Sequence, residues 1–298
     1  MRKRKECFFA ALSGTALPLL VFALGSFAPA ACPAQEAVAV LAKGSGLYFD
    51  TFLAFQKAFG RPVAAFDLSL EKPSLHPDLR AAVAFGAKAA AFDYPETAKL
   101  IYLMAPGYMP RKHGGGATKI STLPEPAQAV AAYKELQPGL GRLAVFHSKS
   151  TRSAYIAELT AAARSRGVEI IAVGLGGPGE FPDRLRALVG KIDAFWLLPE
   201  PTLINRTSLL ILGEFSCANK LPFYAPAAGL TDLGAAAAFS PNFTEAGITA
   251  AAALKKALAG EKLPSTLYVA RSELTVNGAF IKKCGLPVAL PAAMEARK

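Results

Sequence analysis

At 298 residues, with 52% apolar and 18% charged side chains, the chain exceeds one average domain and is too apolar to remain disordered. Its net charge of +11 comes from 33 lysines and arginines against 22 acids. Beyond the first few residues these charges are scattered, with no arginine- or lysine-rich run, which argues against nucleic-acid binding.

The chain begins with Arg2, Lys3, Arg4 and Lys5, continues through an apolar stretch over 8–27, and reaches the small residues Ala28-Pro29-Ala30. This is the pattern of a secretory signal peptide spanning 1–30. An uncleaved membrane anchor is the competing reading, since the stretch is almost long enough to span a bilayer, but its small-residue end favours cleavage. Pro29-Ala30-Ala31-Cys32 has the small residues of a lipoprotein box without its usual leucine, which makes Cys32 a candidate lipidation residue. No later stretch is long enough to cross a bilayer, so the expectation is a protein of the periplasm or cell envelope, touching the membrane only through a lipid anchor.

After the leader, a buried strand is predicted over 36–41. It ends in Ala42-Lys43-Gly44-Ser45-Gly46 and leads into a helix over 48–59 with Phe52, Phe55 and Phe59 on one face. Strands follow over 63–68, 81–85 and 100–104, with a short helix over 76–80 and an alanine-rich segment over 87–92. Residues 111–116 read as a basic, glycine-rich loop and 125–136 as a helix. Gln137-Pro138-Gly139-Leu140-Gly141 looks like a crossing, because the pattern then restarts. Strands are predicted over 142–146, 168–173, 194–198, 221–226 and 235–239, with helices over 153–166, 182–189 and 202–212 between them. A helix over 244–259, strands over 266–271 and 273–276 and a helix over 279–285 complete the chain. Two successive sets of alternating strand and helix imply two similar α/β lobes built on parallel sheets. Of four cysteines, Cys7 leaves with the leader, and Cys217 and Cys284 are either a disulfide or two separate buried thiols; spacing alone does not decide.

The stretch Lys191-Ile192-Asp193-Ala194-Phe195-Trp196-Leu197-Leu198-Pro199-Glu200-Pro201-Thr202 resembles a sequence typical of ABC-transporter substrate-binding proteins. The better-known members of that family bind tryptophan and tyrosine. The resemblance continues in Gly139 with the strand 142–146, in Lys220-Leu221-Pro222-Phe223-Tyr224-Ala225-Pro226, in Phe239-Ser240-Pro241-Asn242-Phe243 with the helix containing Gly247, and in 268–285. It is weak between 61 and 119, where Ala87 stands in place of the family's turn threonine. It implies a periplasmic binding protein of type I-like architecture, with two Rossmann-like lobes joined by a hinge. Lobe 1 would cover 31–138 with 242–264 returning to it, and lobe 2 would cover 139–241 with 265–298.

By position, the turns facing a ligand would carry Ser45, Gly46, Gly86, Ala87, His147, Ser148, Ser150, Glu200, Thr202 and Ala227, with Phe239 at the second crossing as one wall. Ser45, Ser148 and Ser150 could contact a carboxylate or simply cap helices. The resemblance implies that Glu200 holds a ligand ammonium group; the alternative is a solvated acid in a helix's first turn. Tyr48 and Phe239 could stack on an aromatic solute or belong to the core, and Trp196 reads as core.

Other chemistry finds little support. Gly174-Leu175-Gly176-Gly177-Pro178-Gly179 fits a dinucleotide fingerprint, but Asp193 precedes the next strand instead of ending it and Pro178 removes an N–H. The loop 114–119 lacks phosphate-loop spacing. His76, His113 and His147 have no zinc-ligand spacing, and there is no G-x-S-x-G elbow. No catalytic residue, metal or cofactor is expected. The expected function is a solute-binding component of an ABC-type importer, taking an amino acid or other small carboxylate and working with a permease and an ATPase. The alternative is a ligand-sensing or accessory protein of the same fold with no transporter.

Overall fold

A computed structural model of the chain describes residues 36–108, 110, 114–149 and 153–289. The expected signal peptide, Cys32 and Ser150 lie outside the described residues.

The first sheet is built from β1 (Ala37–Leu41), β2 (Ala64–Asp67), β3 (Ala81–Phe85), β4 (Lys99–Leu103) and β5 (Ala117–Ile120), with α1 (Leu47–Phe59) after β1 and α2 (Ala87–Ala90) after β3. The second set begins with α3 (Pro126–Leu136). There follow β6 (Arg142–Ser148), α4 (Ser153–Arg164), β7 (Glu169–Leu175), α5 (Phe181–Leu188), β8 (Ala194–Leu197), α6 (Arg206–Asn219), β9 (Phe223–Ala225) and β10 (Ala237–Pro241). The chain closes with α7 (Phe243–Leu258), β11 (Thr266–Leu267), β12 (Ser272–Val276) and α8 (Gly278–Cys284). The first sheet has the order β11-β5-β4-β3-β1-β2 and is parallel throughout. The second has the order β12-β10-β9-β8-β6-β7, with only the edge strand β12 antiparallel.

The continuous apolar runs become strands covered on both faces. Successive side chains of β1 point to opposite sides. Val38 and Val40 join Ala82, Ala84, Leu100 and Tyr102 in one core, while Ala39 and Leu41 join Phe55, Phe59, Phe85 and α7 in the other. The second sheet divides in the same way. Leu143, Val145 and Trp196 face α3 and α4, whereas Ala144, Phe146, Phe195 and Leu197 face α5 and α6. Trp196 is 1% exposed, as its place in the run implies. Cys217 of α6 and Cys284 of α8 form a disulfide with their Cα atoms 4.8 Å apart.

Several details differ from expectation. Residues 76–80 form a turn instead of a helix, in a segment broken by Pro73 and Pro77. Strand β5 is unanticipated: it is short, and β11 pairs on its far side. The helix expected from 202 begins only at Arg206. Asn205 and Ser208 form a reciprocal capping box there, with the Ser208 N–H donating to Asn205 Oδ1 at 2.8 Å and the Asn205 N–H to Ser208 Oγ at 3.0 Å.

The lobe boundaries move as well. Helix α3 packs in the second lobe's core through Ala129, Val130, Tyr133 and Leu136, so the first crossing precedes it, at 121–125, and not at 137–141. Glu125 closes that crossing by accepting from the N–H groups of Ala127 and Gln128, with Pro126 at the first helical position. Strand β11 belongs to the first sheet, so 266–267 lie with lobe 1 and the third crossing is 268–271. The second crossing is Asn242, whose N–H donates to the carbonyl of Arg271 at 3.3 Å.

Candidate functional site

In each sheet the strand order reverses beside the first strand, between β1 and β3 in one and between β6 and β8 in the other. Ligands of open α/β sheets sit outside the carboxyl ends of strands near such points. In the first lobe, β1 runs into the turn 42–46. There the Ala42 N–H donates to the Phe85 carbonyl at 2.9 Å and the Gly44 N–H to Asp67 Oδ2 at 2.7 Å. Asp67 also accepts from the Ser69 hydroxyl and N–H, at 2.7 and 2.8 Å. These Ser69 bonds, with that of Gly44, hold its carboxyl below the ordinary value. A Cβ on Gly44 would lie 2.4 Å from the Asp67 carboxylate, so the lock requires glycine. Gly86, at φ +99°, lies under the Tyr48 ring: a Cβ there would be 2.9 Å from Tyr48 Cε1. Tyr48 is thereby held at the start of α1.

In the second lobe, β8 ends with the Leu198 N–H donating to the Phe146 carbonyl at 3.0 Å, and the chain turns through Pro199-Glu200-Pro201. Strands β9 and β10 end in Pro226-Ala227 and in Ser240-Pro241. The Asn242 side chain then caps α7, accepting from the Glu245 N–H at 3.1 Å.

These ends converge on a cavity of about 340 Å³. Lobe 1 contributes Leu47, Tyr48, Met104 and Pro106, and lobe 2 contributes Pro199, Pro226 and Ala227. The first crossing, the end of β10 and the first turn of α7 contribute Thr122, Ser240, Pro241 and Phe243. Met104 has φ +54°, an uncommon conformation for a side chain of its kind. Thr122 Oγ1 is enclosed without a hydrogen-bond partner among the described residues.

The expected site residues are only partly gathered here. Ala227 lines the cavity. Ser45 and Gly46 are exposed in the turn just before Leu47 and Tyr48, Gly86 is buried behind Tyr48, and Ala87 is exposed as the first residue of α2. His147 and Ser148 are half-buried at the end of β6, with His147 Nδ1 2.9 Å from the Ser148 carbonyl, and neither lines the cavity. Thr202 is exposed in a turn. Glu200 is 2% exposed, so it is not the solvated acid of the alternative reading, nor does it line the cavity. Phe239 is a core residue at 8% exposure, and its N–H donates to the Tyr133 hydroxyl at 3.2 Å. Burial raises the Tyr133 hydroxyl's pKa, so it stays protonated. Sequence reasoning missed Met104, Pro106, Thr122 and Pro226. The signal available was proline or a crossing directly after a buried strand.

The glycine-rich loop after β7 is closed from within, since the Gly176 N–H donates to Glu180 Oε1 at 2.9 Å. Lys149 and Arg184 each lie 3.7 Å from the same carboxylate. An internal anion thus sits where a dinucleotide phosphate would need that amide. Among the described residues no three histidines, cysteines or acids are grouped to hold a metal, and no helix is long and apolar enough to cross a membrane.

Comparison with solved structures agrees with this architecture. A substrate-binding protein with adhesive properties from Clostridium difficile, in its ligand-free, open form, superposes with a TM-score of 0.60 at 17% identity, over 86% of this chain and 96% of that one. An ABC domain from Streptococcus pneumonia in complex with L-Trp gives 0.57 at 14% identity, over 88% and 97%. A conserved domain protein from Vibrio cholerae gives 0.56 at 16% identity, over 88% and 98%. Among curated protein sequences none matches the chain. The fold is the two-lobed α/β architecture of type I periplasmic binding proteins. The sequence profile described as ABC transporter substrate binding protein matches residues 111–289, more than half of the chain. By that match the chain belongs to the family of ABC transporter substrate-binding proteins.

Proposed function

We propose that this chain is the exported solute-binding component of an ABC-type importer, which holds a small solute between its lobes and delivers it unaltered to a permease and its ATPase. The observation that supports this reading best is the cavity lined from both lobes beside the first two crossings. Domains joined only by a few crossings move by hinge rotation, and such rotation closes the cavity over a bound solute. Export rests on the basic and apolar leader 1–30 and on the Cys217–Cys284 disulfide, which suits an oxidising compartment. Lipidation at Cys32 would add a membrane tether.

The test combines calorimetry against amino acids, sugars, carboxylates and neutral aromatics with small-angle scattering of the same samples. One solute per chain and a smaller radius of gyration on binding are expected. Heat and compaction both missing across the whole panel would sink the proposal.

A further inference from the structure

The cavity also carries information about the class of solute. Among the described residues, no charged side chain lines it; its walls are Leu47, Tyr48, Met104, Phe243, four prolines and Ala227. Its polar side chains are the hydroxyls of Tyr48, Thr122 and Ser240, and Thr122 Oγ1 is enclosed without a partner among the described residues. The Gly44 N–H, in the turn expected to receive a carboxylate, is instead occupied by Asp67 at 2.7 Å. A second anion placed against that turn would face the Asp67 carboxylate. Glu200, the acid expected to meet an ammonium group, is buried outside the lining. Moving a zwitterion into such walls strips water from two charges without offering counter-charges among the described residues, which opposes binding. A neutral solute meets no such penalty, and one polar group on it would satisfy Thr122 Oγ1.

We infer that the cleft takes a neutral, largely apolar solute with one or two hydrogen-bonding groups, in preference to a zwitterionic amino acid, a carboxylate or a sugar. The inference rests on the cleft being the solute site proposed above. It is tested on the full chain with four probes: indole, L-tryptophan, indole-3-acetate and D-glucose. They share or lack one aromatic body and differ in charge and polarity. Indole should bind one per chain, at least about tenfold tighter than each of the others. Ala227→Trp, which fills the cavity from one wall, should weaken indole by about tenfold or more while circular dichroism stays native. If L-tryptophan, indole-3-acetate or D-glucose binds tighter than indole and loses its affinity in Ala227→Trp, the solute class is wrong and the cleft remains the site. If indole binds equally well to Ala227→Trp, the cleft is not the site and both readings fall. Failure of indole to bind native protein at millimolar concentration overturns the inference alone.

Discussion

The Asp193 carboxylate accepts three hydrogen bonds from the start of the second sheet. The N–H groups of Gly141 and Arg142 reach Oδ2 at 2.9 and 2.7 Å, and the Arg142 guanidinium reaches Oδ1 at 3.1 Å. Its backbone carbonyl accepts from Gln137 Nε2 at 3.0 Å, and Gln137 Oε1 accepts from the Tyr224 hydroxyl at 2.8 Å. One acid before β8 thus ties the chain leaving α3 to the centre of the sheet. Partial burial works against ionisation of Asp193, but the Gly141 N–H and the two Arg142 donors outweigh it and hold the carboxyl below its ordinary 3.8. A depressed folded value means stability is fully present above 3.8 and lost as pH falls through the lower folded value. Asp193→Asn keeps the shape and loses the charge-assisted bonds. It should lower unfolding free energy at neutral pH by about 1–2 kcal/mol, a figure reduced for partial exposure. Urea titrations run from neutral to acid pH should show the gap between the two proteins narrowing below about pH 4. A gap that stays constant with pH would assign the effect to packing.

Helices α1 and α7 meet at Gly247, and the contact leaves no room for a side chain. A Cβ there would lie 2.4 Å from the Thr51 carbonyl oxygen and 2.9 Å from the Phe55 nitrogen, both backbone atoms that cannot rotate away. Phe55 and Phe59 of α1 stack at 5.9 Å and Phe55 meets Phe85 edge-on at 5.6 Å, so α1 cannot shift without disturbing the first sheet's core. Gly247→Ala should therefore cost about 1–3 kcal/mol, although alanine is the better helix former. Thermal unfolding measures this directly. Since the first turn of α1 carries Leu47 and Tyr48, the same variant should also weaken solute binding in calorimetry at a temperature where it remains folded. Unchanged stability would show that α1 and α7 have freedom to separate.

Across the whole molecule, the disulfide joins α6 to the last helix, its two cysteines 67 positions apart in sequence. Closing a loop of that length removes much of the unfolded chain's freedom, worth about 4 kcal/mol in the chain-entropy account and about 2–4 kcal/mol in typical measurements. Adding reductant should lower the native protein's unfolding free energy, read from urea titrations, by that amount and leave the double variant Cys217→Ala, Cys284→Ala unmoved. The link lies within the second lobe and bridges no crossing, so hinge closure should survive reduction. Scattering with bound solute under reducing conditions checks this.

What could be read from the chain alone was whatever depends on local pattern: the apolar runs of the central strands, the phenylalanine spacing of α1, the repeated alternation that means two lobes, and the wording around Trp196. These are neighbour effects, carried by residues a few positions apart. The short strand β5, the late start of α6 at its capping box and the lobe of α3 were not legible, because each depends on a partner distant in sequence or on competition between two local options. The same holds for the site. Turns at strand ends could be named in advance, but only the packing of two sheets determines which side chains share a cavity. It buried Phe239 and Glu200, set Asp67 on the Gly44 amide, and brought Met104, Thr122 and Ala227 to one cavity, because close packing selects positions by three-dimensional fit and not by residue type.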